Sequence, residues 1–272
     1  MRSAVITLAK GRHAHLRLQQ AGLARSTLRP DQYVVVSMAD PAIENVVGTG
    51  RPPAATVLEL PLRDGRLPLA AARNAGAAHA LASEAELLVF LDVDCVPGPS
   101  LLAGYARAAQ DGALLCGSVA YLPPPPSDGY RLDLLPEMAS PHPARPAPPD
   151  GVVLRGGDPR LFWSLSFALT ARTWTRIGGF CESYTGYGAE DTDFAATAAL
   201  RGVDLRWVGG APAYHQYHPT SRPPFQHIDD ILRNGALYKR RWGHWPMEGW
   251  LHDFADHRLV EYVPATDTWR RT

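Results

Sequence analysis

In the first 122 residues, short apolar runs rich in β-branched side chains alternate with Ala- and Leu-rich stretches. That alternation restricts the chain to βα units around a mainly parallel sheet. The runs Val5 to Leu8, Tyr33 to Ser37, Thr56 to Leu60, Leu87 to Leu91 and Leu114 to Leu122 read as strands. His13 to Arg25, Leu69 to Leu81 and Leu101 to Gln110 read as helices between them, the second being especially Ala-rich and helix-forming. Tyr33 to Ser37 is almost continuously apolar, as in a strand covered on both faces.

The rhythm stops at Pro123. Prolines recur up to Pro159, and each removes a backbone donor and fixes φ, so neither a central strand nor a long helix fits. This excursion is either a surface insertion or a loop over a binding site. Leu165 to Thr170 then reads as a strand, Asp191 to Arg201 as a helix stopped by Gly202, and Leu205 to Val208 as a strand. Asp229 to Arg241 reads as a helix with a basic end. From Trp242 to Thr272 no clear period emerges, and no internal repeat is evident.

Charge and cysteine content exclude several classes. Lys plus Arg and Asp plus Glu are both 27, so the net charge is zero, unlike a protein that tracks nucleic-acid phosphates. No apolar run approaches the roughly 20 residues of a spanning helix. Met1 to Lys10 reads as a strand rather than a secretory signal. Cys95, Cys116 and Cys181 have no Cys-x-x-Cys spacing, which argues against a disulfide framework or structural zinc and for a cytoplasmic setting.

Three clusters carry candidate chemistry. Asp92-Val93-Asp94 follows the most apolar strand, at the carboxyl end where open α/β sheets bind ligands. In an extended segment its two carboxylates point the same way, roughly 6–7 Å apart, and a divalent cation would relieve their repulsion. Glu190, Asp191 and Asp193 follow the turn Gly186-Tyr187-Gly188 at a helix start. One acid would suit the helix dipole; three exceed that need. Tyr214-His215-Gln216-Tyr217-His218 follows the last strand. If it is extended, His215 and His218 face opposite ways and only one joins a given site. Trp163, Tyr184 and Tyr187 offer aromatic faces to a ligand, with core packing the alternative for Trp163.

The order of these features resembles that of nucleotide-sugar glycosyltransferases of the GT-A fold. The likeness is to the large inverting family 2, with a second half similar to the galactosyltransferase pattern Gly-Gly-Phe-Asp-Glu, then Gly-Trp-Gly-x-Glu-Asp. Here these read Gly178-Gly179-Phe180-Cys181-Glu182 and Gly186-Tyr187-Gly188-Ala189-Glu190-Asp191. The resemblance implies one α/β GT-A domain: a nucleotide-sugar half over 1–122, a Pro-rich loop over 123–160, an acceptor half over 161–228 and a helical tail over 229–272. It further implies a metal bound by Asp94, Asp92 and His215, with His218 the substitute, and Asp191 as general base. Glu190, Asp193, Tyr187 and Trp163 would serve the acceptor. Ala71-Ala72-Arg73-Asn74-Ala75-Gly76 resembles the family's Ala-Arg-Asn-x-Gly segment, so Arg73 and Asn74 would lie beside the nucleotide, with Thr7, Asp40 and Asp92 at its base and ribose. The first strand departs from the family's Pro-x-Tyr-Asn and continues Thr7-Leu8-Ala9-Lys10-Gly11-Arg12.

The implied reaction is inverting transfer of a hexose from a nucleotide sugar, UDP-linked by resemblance, to an acceptor hydroxyl. Two carboxylates and an imidazole suit Mn²⁺, with Mg²⁺ the choice of an all-oxygen shell. The rival readings are a sugar-phosphate nucleotidyltransferase, echoed faintly by Lys10-Gly11-Arg12, and a non-catalytic nucleotide-sugar binder. For the Trp-rich tail the readings are packing over the core, a subunit interface, or a peripheral membrane patch, the last disfavoured by the missing amphipathic period.

Overall fold

The structure is a computed structural model and describes residues 1–48 and 52–272. The first 122 residues contain β1 (Ser3–Ala9), α1 (His13–Ala24), β2 (Gln32–Met38), α2 (Ile43–Val47), β3 (Ala55–Leu60), α3 (Leu69–Ala82), β4 (Leu87–Leu91), β5 (Cys95–Pro97), α4 (Leu101–Ala108) and β6 (Ala113–Tyr121). Then come α5 (Leu135–Met138), β7 (Ser140–Pro141), β8 (Val153–Arg155), β9 (Ser166–Thr170), α6 (Ala171–Ile177), α7 (Glu190–Leu200) and β10 (Asp204–His215). The chain ends with α8 (Ile228–Trp242), α9 (Glu248–Asp256), β11 (Val260–Val263) and β12 (Thr268–Arg271).

Eight strands of the main sheet run in the order β3-β2-β1-β4-β9-β6-β10-β5, with β7 added to β6 and β8 to β10. Pairs β1–β2, β2–β3, β1–β4 and β6–β10 are parallel. Strand β9 is inserted antiparallel between β4 and β6. The alternation within β1 shows why both faces are covered. Ala4, Ile6 and Leu8 point into one core with side chains of α3, α6 and α7. Val5 and Ala9 point into the other, with α1, α2 and α4. Gly76 lets α3 approach β1, since a Cβ there would lie 2.5 Å from Ile6 Cγ2.

The strands and helices expected of the first half are present. Sequence periodicity misses α2, β5 and α6, which are at most seven residues long. It also stops the last strand at Val208, whereas β10 continues to His215 across a register shift between Val208 and Ala213. Gly209 and Gly210 sit inside that irregularity, with φ of 79° at Gly210, so a sequence that looks like a strand end is a bulge.

The Pro-rich segment is mostly irregular but firmly tied down. Strands β7 and β8 add to the sheet. The buried Arg145 guanidinium lies between the rings of Trp163, 5.3 Å away, and Trp207, 5.0 Å away. The expectation of a helical tail is corrected. After α9 the chain forms a β11–β12 hairpin, and Ile231, Trp245, Leu251, Phe254 and Val260 build a small core with α8 and α9. Four-residue strands give too short an alternation to announce themselves. Among the described residues no helix is long and apolar enough to cross a membrane.

Candidate metal and active site

The site is assembled where β1, β2, β4, β6 and β10 end. Directly after β4, the Cys95 N–H donates to the Asp92 carbonyl over 2.8 Å, closing a tight turn. Strand β5 leaves that turn and pairs antiparallel with β10, opposing Cys95 to His215. The Gln216 N–H donates to the Asp94 carbonyl over 2.7 Å. This pairing brings the Asp94 carboxylate within 3.6 Å of His215 Nε2 and 3.5 Å of His218 Nε2. One donor atom from each of the three lies within 4.8 Å of the others.

Two sequence expectations change here. Asp92 and Asp94 do not lie in an extended segment, and the turn sends them to different partners. Asp92 stands outside the donor trio, its Oδ1 3.5 Å from Arg73. His215 and His218 are not alternatives either. The strand ends at His215, the backbone leaves extended geometry, and both imidazoles reach Asp94. One carboxylate and two imidazole nitrogens suit a borderline divalent cation such as Mn²⁺ and suit Mg²⁺ less well.

The electrostatics favour ligation. Burial pushes the Asp94 carboxyl up, but the hydrogen bond from His218 and the charges of His215 and Arg12 outweigh it and hold the group below the usual carboxylate range. Burial lowers His215 against the opposing pull of Asp94, which eases loss of its proton to a metal.

Beside the trio lies an acid cluster around one cation. Arg73 is 4% exposed; it donates to Ser164 Oγ over 2.7 Å and to Glu190 Oε1 over 3.2 Å. Burial raises Asp92 to about 7, against the pull of Arg73, and Asp94, Glu190 and Asp191 add to the rise. Burial and then Glu190 raise Asp191 to about 6, with Arg73 and Thr192 opposing. The carboxylates of Asp191, Glu190 and Asp92 also help raise the Tyr187 hydroxyl, after burial. Asp191, Asp92 and Tyr187 are therefore close enough for their charges to act on one another.

The other predicted residues divide. Trp163 and Tyr187 each pack against a histidine. Trp163 meets His142 edge-on at 4.8 Å, and Tyr187 stacks on His227 at 4.2 Å. Asp40, at the end of β2, accepts from the Gly11 N–H over 2.7 Å and pairs with His13 at 2.9 Å. Three residues are not brought into the cleft. Thr7 is fully buried, its hydroxyl donating to Gln19 and to the Leu91 carbonyl. Asn74 clamps the glycine turn, accepting from the Phe180 N–H and donating to its carbonyl and to Glu182. Asp193 is 1% exposed and accepts from Tyr184, Arg241 and Trp242, tying α7 to the end of α8.

Sequence reasoning missed Arg12, whose Nη1 lies 3.2 Å from Asp94 Oδ2, and Tyr121, whose ring lies 4.8 Å from His215. Both follow or end strands, so the rule that ligands gather at strand carboxyl ends would have found them. His142 and Arg145 come from the Pro-rich segment, where no periodicity points to them.

Comparison with known proteins agrees with this fold. A family model described as the N-terminal domain of galactosyltransferase matches residues 160–219. Validoxylamine A glucosyltransferase of Streptomyces hygroscopicus subsp. jinggangensis is 32% identical over 166 residues, covering 50% of this chain and 36% of that protein. The chain thus spans about a third of the length of that relative. Among solved structures, S. aureus TarS 1-349 in complex with UDP aligns with a TM-score of 0.59 at 15% identity, over 93% of this chain and 75% of that one. The mannosyltransferase PcManGT from Pyrobaculum calidifontis, in complex with GDP-Man and Mn²⁺, aligns with a TM-score of 0.57 at 20% identity, over 95% and 70%. GalNAc-T7 with UDP, GalNAc and Mn²⁺ aligns with a TM-score of 0.57 at 16% identity, over 80% and 44%. The chain has the GT-A fold of the nucleotide-sugar glycosyltransferases.

Proposed function

We propose that the chain is a metal-dependent, inverting glycosyltransferase that moves a hexose from a UDP-sugar to an acceptor hydroxyl, with Asp191 as general base. The observation that supports this reading is the approach of one donor atom each from Asp94, His215 and His218 to within 4.8 Å of one another, with Asp92 of the same turn feeling the charge of Asp191. Asp94, His215 and His218 would hold a divalent cation, which would supply Lewis-acid stabilisation of the departing diphosphate. Asp191, raised by burial and by Glu190, is a stronger base than an ordinary carboxylate and suits removal of the acceptor proton. Glu190, fixed by Arg73, holds the first turn of α7 in place under it. Trp163, Tyr187 and Tyr121 give apolar ring faces against which a sugar can lie. One base opposite the leaving group fits a single displacement with inversion.

The choice of UDP and hexose draws on the similar proteins. GalNAc-T7 and TarS are solved with UDP, and the curated relative is a glucosyltransferase. Three free thiols fit a cytoplasmic setting. The test is calorimetry with UDP- and GDP-sugars with and without Mn²⁺, followed by magnetic-resonance assignment of the product's anomeric configuration. Mn²⁺-dependent UDP-sugar binding and an inverted product support the reading. Pyrophosphate release from a nucleoside triphosphate and a sugar phosphate favours the nucleotidyltransferase. Tight donor binding without transfer to any acceptor favours the binder.

A further inference from the structure

Arg12 stands between β1 and α1 with φ of 51°, in the left-handed region that non-glycine residues rarely adopt. From there its guanidinium reaches Asp94, Nη1 lying 3.2 Å from Oδ2. The same oxygen faces His218 at 3.5 Å, while Oδ1 faces His215 at 3.6 Å. One carboxylate is therefore shared between a fixed organic cation and the donor trio. Among the described residues Arg12 makes no other ion pair. Its charge also weighs on His215 and His15.

An arginine stays charged at any working pH. A divalent cation at the trio meets that charge at short range and draws on the carboxylate that balances it, so the two oppose each other. A diphosphate would reverse the sign, since its oxygens would offer Arg12 a new anion and add negative charge beside a metal held by Asp94, His215 and His218. We propose that Arg12 couples the two ligands: it weakens the binding of a divalent cation alone and strengthens it once a nucleoside diphosphate is present. The inference rests on the metal-dependent reading above. It deepens that reading by making nucleotide the ligand that admits the metal, and by giving the unusual Lys10-Gly11-Arg12 segment a role.

Coupling between two ligands is reciprocal and measurable without turnover. Mn²⁺ is titrated calorimetrically into the wild type, Arg12→Gln and Arg12→Lys, each with and without saturating UDP. The expected result is that Arg12→Gln binds Mn²⁺ alone about 5- to 50-fold more tightly. The gain in Mn²⁺ affinity that UDP confers should also fall at least about fivefold, while Arg12→Lys keeps most of it. If Arg12→Gln does not fold, Arg12→Met replaces it and keeps the aliphatic stem. Failure of the wild type to bind Mn²⁺ with or without UDP overturns the metal-dependent reading itself. A wild type that binds Mn²⁺, with a variant that binds it equally or less tightly, or with an unchanged UDP gain, overturns the coupling alone and leaves Arg12 a structural ion pair.

Discussion

His215 Nε2 lies 3.6 Å from Asp94 Oδ1 because β5 turns back from β4 and pairs residue for residue with the end of β10. The contact is fixed by backbone ladders on both sides of His215, so these two proposed metal donors are held before any ligand arrives. Such preorganisation lowers the cost of binding.

The first prediction concerns this trio. His215→Ala and His218→Ala each remove one donor. Loss of an outer partner of a metal ligand costs about 10- to 100-fold in affinity, and loss of a direct ligand should cost at least as much. Calorimetry with Mn²⁺ should show both variants weakened by tenfold or more, with Mg²⁺ weaker than Mn²⁺ in the wild type. A variant of either histidine with wild-type Mn²⁺ affinity removes that residue from the shell.

Asp191 gives a second prediction, in which activity and stability move in opposite directions. Its folded carboxyl is raised to about 6 by burial and by Glu190, above its usual value. The folded chain therefore holds this proton more tightly than the unfolded chain. That contribution to stability is complete in acid and is lost as pH rises through about 6. At pH 7.5 the charged carboxylate is a burden of about 1–3 kcal/mol, which Asp191→Asn removes. The variant should melt at a higher temperature than the wild type at pH 7.5 and match it near pH 4. Transfer should fall about 10²- to 10⁴-fold with UDP-sugar binding retained.

The same shift sets a pH profile. A base with a carboxyl near 6 is protonated as pH falls below that value, so the wild-type transfer rate at saturating metal should decline about tenfold per unit in acid. Burial keeps His215 neutral to lower pH than an ordinary histidine, so Mn²⁺ binding should persist below pH 6.5. A rate that falls together with Mn²⁺ occupancy, rather than ahead of it, assigns the acid limb to the metal centre instead of Asp191.

How far these features could be read from sequence depends on the range of the interaction. The βα rhythm and the strand-end location of Asp94 are local patterns, and they survive in the structure. The roles of neighbouring residues were less legible. Asp191 and Asp193 are two residues apart on one helix turn, yet among the described residues one accepts only from the neighbouring Thr192 and the other accepts from Arg241 and Trp242. Helical spacing separates them by about 200°, which the sequence states, but only the position of α8 says which face is buried. The joint use of His215 and His218 depends on where β10 ends, and element boundaries are the least readable feature of a sequence.

The last prediction follows from Asp193. The carboxylate is 1% exposed, and its Oδ1 accepts from Arg241 Nε over 2.6 Å, from Trp242 Nε1 over 2.7 Å and from Tyr184 over 3.1 Å. Asp193→Ala leaves a buried tyrosine hydroxyl and an indole N–H without an acceptor and Arg241 without its counter-charge. Removing one partner of a buried ion pair costs about 3–5 kcal/mol. Arg241 is 39% exposed at its side chain and can turn to water, which puts the expected loss at the lower end. Denaturant unfolding should show destabilisation of about 2–3 kcal/mol, while Mn²⁺ affinity at a temperature where the variant is folded stays within about twofold, since Asp193 touches none of the three donors. Asp193→Asn separates charge from hydrogen bonding: its amide oxygen keeps the indole and hydroxyl partners, so it should recover part of the loss. A stable Asp193→Ala variant with impaired acceptor KM would instead return this residue to the acceptor side of the cleft.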